Sequence, residues 1–229
     1  MTSLDASPLV LKGMEEQLAL RRRLLAEGAI AIGWKLGLGS PDAMETFGTT
    51  APLVGFLTDR SVLEQRATCS IGDWVNPAAE AEIAVHLAHD VQPDASPAAA
   101  AAAISGLGAA IELVDVDVPM EDVAPILAGD LFHRHVMLGP ARPHNEEIHA
   151  QIFVNGEDRE AIADPLAVVG DPIASVCHVA RFLARFGERL RAGEVIITGS
   201  IVPLMFVTPG DRIEYHLTPL GALTVDFTV

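Results

Sequence analysis

The sequence predicts an α+β fold dominated by sheet, and three observations carry that expectation. Ala81, Ile83, Val85 and Leu87 alternate with Glu80, Glu82, Ala84 and His86, the period of two expected of a strand with one apolar and one largely polar face. The C-terminal third breaks into short apolar runs separated by turn residues. Only three segments show a helical period. With 229 residues, 50% of them apolar, the chain is expected to form one domain spanning residues 1–229 that needs no cross-links.

The first helix is predicted over Lys12–Glu27. Met14, Leu18, Leu24 and Leu25 recur at helical spacing, Arg21, Arg22 and Arg23 fall late, and Gly28 stops it. The arginine run reads as a solvated face. After the alternating strand comes a helix capped by Ser96, with Pro97 at its first position, running through the alanines towards Gly106. Ala109–Val118 is the next strand. A third helix starts at Asp171-Pro172, with Ile173, Val176, Ala180 and Leu183 along one side. Val195–Thr198, Arg212–Leu217 and Leu223–Val229 read as closing strands, the last two bounded by Pro209-Gly210-Asp211 and Pro219-Leu220-Gly221, so the ending is expected to be antiparallel. Asp94–Pro97 and Asp164–Asp171 read as loops, and no repeat at a fixed period is visible.

Charge narrows the function classes. Thirty-one acidic against 15 basic side chains leave a net charge of −16, which repels phosphate backbones and anionic lipid, so neither nucleic acid nor membrane is expected as a partner. Metal cations fit better. The uncharged run Ala95–Ile111 is too short and too weakly hydrophobic for a bilayer span. The opening residues, with Thr2, Ser3, Asp5 and Ser7, do not read as a leader, and Cys69 and Cys177 form no metal or disulfide pattern. A cytoplasmic protein with buried free thiols is expected. Gly37 and Gly39 lack the third glycine of a dinucleotide loop, no Walker loop occurs, and Gly199-Ser200 is not a nucleophile elbow.

Four features can carry chemistry. Glu80 and Glu82, at i and i+2 on a strand, share a face, and two like charges there call for a cation or for solvent; an exposed polar face is the alternative. Glu112 interrupts the apolar run Ala109–Val114, where an unpaired carboxylate is expensive, so protonation, a salt bridge or a metal must relieve it. A metal would join it to Glu80 and Glu82 in an all-oxygen site suited to Mg²⁺ or Mn²⁺. Asp115 and Asp117 compete for that role but point to the opposite strand face. Lys35, one of only two lysines with Lys12, lies between Trp34 and Leu36; desolvation or a nearby cation would lower its pKa and suit it to proton transfer, whereas an edge strand would let it snorkel to solvent. His133-Arg134-His135, just after the turn signal Gly129-Asp130, reads equally as a proton-moving cluster, a subunit contact or a polar loop.

With these residues in place, the chain resembles the fumarylacetoacetate hydrolase superfamily, in its 2-keto-4-pentenoate hydratase and 4-oxalocrotonate decarboxylase branch. The blocks are Gly33-Trp34-Lys35-Leu36-Gly37-Leu38-Gly39-Ser40, Pro77-Ala78-Ala79-Glu80-Ala81-Glu82-Ile83-Ala84, Ala110-Ile111-Glu112-Leu113-Val114-Asp115, Thr198-Gly199-Ser200 and Pro209-Gly210-Asp211. The resemblance implies a β-rich, roll-like fold of the family's C-terminal type with a few packed helices, and a homo-oligomer. It implies Mg²⁺ or Mn²⁺ held by Glu80, Glu82 and Glu112, with Lys35 beside a bound 2-oxo acid. It carries Asp59 over as a second catalytic residue, and His133, Thr198 and Ser200 as substrate contacts. Relatives carry a further helical segment before the helix near Lys12, and many hydratases have an Ala-Asp-Asn stretch followed by serines where this chain has Ala128-Gly129-Asp130-Leu131-Phe132-His133.

The implied activity is a metal-dependent hydro-lyase adding water to a 2-hydroxy-dienoate or 2-oxo-enoate through a metal-chelated enolate, in aromatic-compound catabolism. The same scaffold also implies three alternatives: a 2-oxo acid decarboxylase of the 4-oxalocrotonate type, a carbon-carbon hydrolase of an acylpyruvate with His133 as base, and a non-catalytic 2-oxo acid or metal binder.

Overall fold

A computed structural model describes residues 8–143 and 146–229. The chain opens with α1 (Pro8–Ala26), β1 (Ala31–Gly37), α2 (Pro41–Phe47) and β2 (Leu53–Thr58), then a 3-10 turn (Asp59–Ser61) and the short strands β3 (Val62–Leu63) and β4 (Arg66–Ser70). The long strands β5 (Pro77–Leu87) and β6 (Ile104–Asp115) flank α3 (Pro97–Ala103). Next come α4 (Val123–Ala128), β7 (His133–Leu138), the hairpin β8 (His149–Val154) and β9 (Glu157–Ile162), α5 (Pro165–Val169) and α6 (Pro172–Ala184). The chain closes on β10 (Val195–Ile197), β11 (Met205–Phe206), β12 (Arg212–Thr218) and β13 (Gly221–Thr228).

Two sheets form. The larger runs β2-β1-β10-β5-β6-β7-β3, with β11 also on β5; the smaller runs β4-β13-β12-β8-β9. The two edges of the larger sheet, β2 and β3, are joined by a single 3-10 turn, so the sheet curls into a half-barrel. Its two faces have different tasks. One carries Trp34, Phe56, Ala81, Ile83, Ile111, Leu113 and Met137 into the main core, shared with Tyr215, Val225 and Phe227 of the smaller sheet and with Met14, Leu18, Val176 and Leu183 of the helices. The inner face holds a small apolar plug of Leu57, Ala84, Ala110, Val136, Val195 and Ile197. Lys35, Glu80, Glu82 and Glu112 share that inner face with the plug, by strand parity and register.

The predicted elements are present with shifted ends. The first helix starts four residues earlier than its apolar spacing suggested. Ser96 caps α3 by accepting from Ala99 N, but the helix ends at Ala103, where β6 has begun. Asp171 caps α6 by accepting from Ile173 N. Residues 164–171, expected as a loop, hold α5, capped by Asp164. The segment Pro165–Ala184 is apolar and long enough to cross a membrane by length and composition, but Gly170 (φ 86°) divides it, and α6 buries Val176, Ala180 and Leu183 in the core. The ending is mixed: β12 and β13 pair antiparallel, whereas β10 runs parallel to β1 and β13 parallel to β4.

Two expectations about surfaces are corrected. β5 is buried on both faces rather than half-exposed, because the curl encloses its glutamate side. Arg21 is not solvated: it is buried, pairs with Glu188 at 3.0 Å and lies 4.6 Å over the Trp34 ring, whose Nε1 donates to Glu194 (3.1 Å). Helical period singles out Arg21, which alone of the three arginines falls on the stripe of Met14 and Leu18.

Gly33 sits at a register shift in β1 with φ +155°, and a Cβ there would lie 2.0 Å from the Val195 carbonyl of β10. Gly33→Ala is therefore expected to cost at least about 3 kcal/mol, from overpacking and backbone strain together; urea denaturation of the variant beside the parent protein measures this.

Candidate metal centre and active site

The site is assembled by register. Glu80 of β5 stands directly across from Glu112 of β6, and Glu82, two residues on, shares their face. One carboxylate oxygen from each of the three lies within 4.8 Å of the other two. Like charges facing one another across a ladder repel, so the arrangement depends on compensation. Lys35 supplies part of it from β1: its Nζ donates to Glu112 Oε1 and to the Leu131 carbonyl (3.0 Å). Lys35 is 2% exposed and Glu112 1%, so Lys35 is no snorkelling edge residue.

The groups shift one another. Burial alone would push the Lys35 ammonium down, but the carboxylates of Glu112, Asp130 and Glu80 outweigh it and hold Lys35 above the ordinary lysine value, the reverse of the sequence expectation. Burial works against ionised Glu112 as well, yet Lys35 and His133 keep it below the usual carboxylate range. Glu80 is pushed up to about 7 by burial and by the charge of Glu112. Glu82 rises well above the usual range for the same reasons, although its Oε2 accepts from Gly199 N (2.8 Å). Glu82 Oε1 and Glu112 Oε2 are buried with no hydrogen-bond partner. Two orphaned carboxylate oxygens beside a third acid form a hard donor set, and a divalent cation fits it.

Lys35, Glu80 and Glu112 form the floor of a cavity of about 560 Å³, with Glu82 fully buried beside them. Thr198 and Ser200 line it, on the loop after β10. That loop is tied to β5 by the Thr198 backbone N–H to Ile83 O (3.1 Å) and the Ser200 hydroxyl to Ala81 O (3.5 Å).

Two expected residues take other places. Asp59 does not join the cluster: it is exposed in the 3-10 turn, where its Oδ1 accepts from Ile30 N (2.7 Å). The turn at the sheet edge directs it outwards. His133 is buried behind Glu112 and does not line the cavity: its Nδ1 lies 2.6 Å from Glu112 Oε1 and its Nε2 2.9 Å from Ser61 Oγ. It stands against the carboxylate of Glu112 rather than on the cavity wall. The neighbours of His133 diverge because the β6–β7 pairing shifts register between Leu113 and Val114. Arg134 pairs with Asp117 (2.7 Å) and Asp115 (3.5 Å), and His135 stacks on Trp74. Asp115, on the face opposite Glu112, also accepts from Val75 and Asn76 N–H.

Asp130 is the acid that the sequence reading passed over. It is buried beside Lys35, its Oδ1 accepts from Phe56 N (2.9 Å), and burial raises its pKa well above the usual range. Its position comes from three consecutive residues with positive φ, Asp130 (60°), Leu131 (55°) and Phe132 (65°), each costing about 1–2 kcal/mol for an L-residue. The turn aims the Leu131 carbonyl at Lys35. The available signal was an acid embedded in the apolar stretch Ile126–Phe132, which reads only as turn chemistry in one dimension.

The family model described as fumarylacetoacetate (FAA) hydrolase C-terminal matches residues 36–228. The chain belongs to this family. It is 30% identical over 219 residues to a 4-oxalocrotonate decarboxylase of Pseudomonas putida, covering 92% of this chain and 83% of the relative. It is likewise 30% identical over 215 residues to a 2-hydroxyhexa-2,4-dienoate hydratase of Comamonas testosteroni, covering 89% and 80%. The structure of 4-oxalocrotonate decarboxylase from Pseudomonas putida G7, complexed with magnesium and adipate, superposes with a TM-score of 0.86 at 27% identity, over 95% of this chain and 86% of that one. The β-rich roll with a few helices is thus the family's fold.

Gly55 pairs with Lys35 in the ladder, and a Cβ there would lie 2.7 Å from both Asp130 Oδ1 and Lys35 Cγ. Gly55→Ala is expected to cost about 1–3 kcal/mol by forcing the two side chains apart, read by denaturant unfolding. A second expectation concerns pH. Because the folded-state pKa of Glu80 is about 7 against 4.5 for the free side chain, the folded protein keeps a proton that the unfolded chain releases. The contribution is full below pH 4.5 and is lost as pH rises to 7. In chelator, the stability advantage of Glu80→Gln over the parent protein is therefore expected to grow from pH 4.5 to 7; thermal melts of both proteins across that window check it.

Proposed function

We propose that the protein is a metal-dependent hydratase, a hydro-lyase that adds water to a 2-hydroxy-2,4-dienoate through its 2-oxo-enoate form. The observation that carries this reading is the pair of orphaned buried oxygens, Glu82 Oε1 and Glu112 Oε2, beside Glu80 and Lys35 on the floor of a cavity. Glu80, Glu82 and Glu112 would hold Mg²⁺, or Mn²⁺ as an equally hard ion. Such an ion supplies Lewis acidity to the carboxylate and 2-oxo oxygens of the substrate and stabilises the charge that develops there.

The chain's own groups do the rest. Lys35, held on the floor by Glu112 and the Leu131 carbonyl, holds the proton that moves between the dienol oxygen and the substrate carbon chain. His133 fixes Glu112, and Gly199 N–H fixes Glu82, so the carboxylates are set before substrate arrives. The Thr198 and Ser200 hydroxyls lie on the cavity wall, within the loop that binds Glu82. Water then adds at C4, giving a 4-hydroxy-2-oxo acid. The family relationship supports a cytoplasmic, homo-oligomeric enzyme of aromatic-compound catabolism.

The 30% identity to a decarboxylase keeps one other reading, loss of CO₂ from a 2-oxo-enedioate on the same floor. Mass-resolved product analysis of freshly generated 2-hydroxy-2,4-dienoates and 2-oxo-enedioates, with Mg²⁺ and with chelator, separates the two. Metal-dependent gain of water is expected; metal-dependent loss of CO₂ would replace the hydratase with the decarboxylase. Glu82→Gln is expected to lose Mg²⁺ binding by calorimetry while keeping its circular dichroism spectrum. Lys35→Met is expected to keep Mg²⁺ binding and to lower kcat about 10²–10⁴-fold.

A further inference from the structure

The cavity above the carboxylate floor is chemically lopsided. Among its lining residues the formal charges are Lys35, Glu80 and Glu112, all on the floor. Outwards no charged side chain lines the walls, which are mostly hydrocarbon: Val116 and Met120 on one side, Val168 and Val169 of α5, Leu204, and Gly39, Ser40 and Pro41 at the start of α2. Exposure rises in the same direction, from 1–2% at Glu112 and Lys35 to 44% at Met120 and 55% at Val168. Two large apolar side chains are thus left in water at the mouth. We infer that the outer half of this cavity selects a 2-oxo acid ending in an uncharged alkyl tail and rejects one ending in a second carboxylate. The inference rests on the 2-oxo acid reading of the floor.

The charge inventory argues against a distal carboxylate. Lys35 is the one cation among the described lining residues, and its ammonium is already engaged by Glu112 and by the Leu131 carbonyl. The loop that supplies Val116 and Met120 also carries Asp117, Glu121 and Asp122. Arg134, the basic side chain that reaches this loop, is held by Asp117 and Asp115. A carboxylate leaving the floor would exchange water for hydrocarbon without a counter-charge, and the rim beyond is acidic. A methyl or longer alkyl end would instead cover Met120 and Val168 and gain with each methylene buried.

Saturated 2-oxo acids test this without turnover, since they have no alkene to hydrate. Calorimetric titrations of the Mg²⁺-loaded protein would use 2-oxobutanoate, 2-oxopentanoate, 2-oxohexanoate and 2-oxohexanedioate. Affinity is expected to rise along the three monoacids by up to about fourfold per methylene, with the diacid at least about tenfold weaker than 2-oxohexanoate. Val168→Arg, at an exposed position, is expected to narrow or invert that ratio. A diacid binding as tightly as 2-oxohexanoate overturns the tail inference and leaves the floor intact; an unchanged ratio in Val168→Arg overturns the assignment of the mouth to α5. If none of the four binds the folded, Mg²⁺-loaded protein, the 2-oxo acid reading of the floor fails and the tail inference falls with it.

Discussion

A buried ion pair, Lys35 with Glu112, is the constraint around which the rest of the site is arranged. Both side chains are almost fully enclosed, and removing one partner of such a pair strands the other at a cost of about 3–5 kcal/mol. The surroundings answer to that pair. Gly55 is empty so that the Lys35 stem and the Asp130 carboxyl can pass. The left-handed turn at residues 130–132 is strained so that the Leu131 carbonyl can accept from the ammonium. His133 is buried behind the glutamate, between Glu112 and Ser61, to hold the carboxylate from the other side.

The curled sheet makes this affordable by separating stability from chemistry. One face of the long strands supplies the main core, in which Trp34, Ile83, Ile111 and Tyr215 are fully buried. The inner face needs only a small plug of Leu57, Ala84, Ala110, Val136, Val195 and Ile197 to close one end. The remaining inner positions are therefore free to carry mutually repelling acids that a simple core could not hold. Alternation along β5 and β6 places each acid one residue from a core side chain, so the metal-binding geometry inherits the rigidity of the ladder.

The same separation continues along the cavity, from charge on the floor to hydrocarbon at the mouth. The floor gathers the three carboxylates and Lys35 on the rigid ladder. The mouth, built from the 116–122 loop and α5, is where this chain expresses its own preference, because elements outside the ladder can change without disturbing the carboxylates.

Much of this was legible in one dimension. The period of two in Glu80–Leu87, the lone acid in Ala109–Val114, the caps at Ser96 and Asp171, and the turn chemistry near the C-terminus each rest on neighbours within a few residues, which local sequence encodes. The Asn155-Gly156 turn of the β8–β9 hairpin, with φ of 55° and 82°, was a local signal of the same kind and was passed over. By itself, then, the sequence determined strands β5, β6, β10, β12 and β13, helices α1, α3 and α6, the family, and the three glutamates with their lysine. Tertiary structure alone decided which partners the buried charges meet. The curl of the sheet encloses the glutamate face, the left-handed turn at 130–132 brings Asp130 rather than Asp59 to Lys35, the packing of α1 seats Arg21 over Trp34, and the gathered carboxylates raise the Lys35 pKa instead of lowering it. Desolvation and charge-charge coupling depend on distances between residues up to about a hundred positions apart, and no local pattern in the chain records those distances.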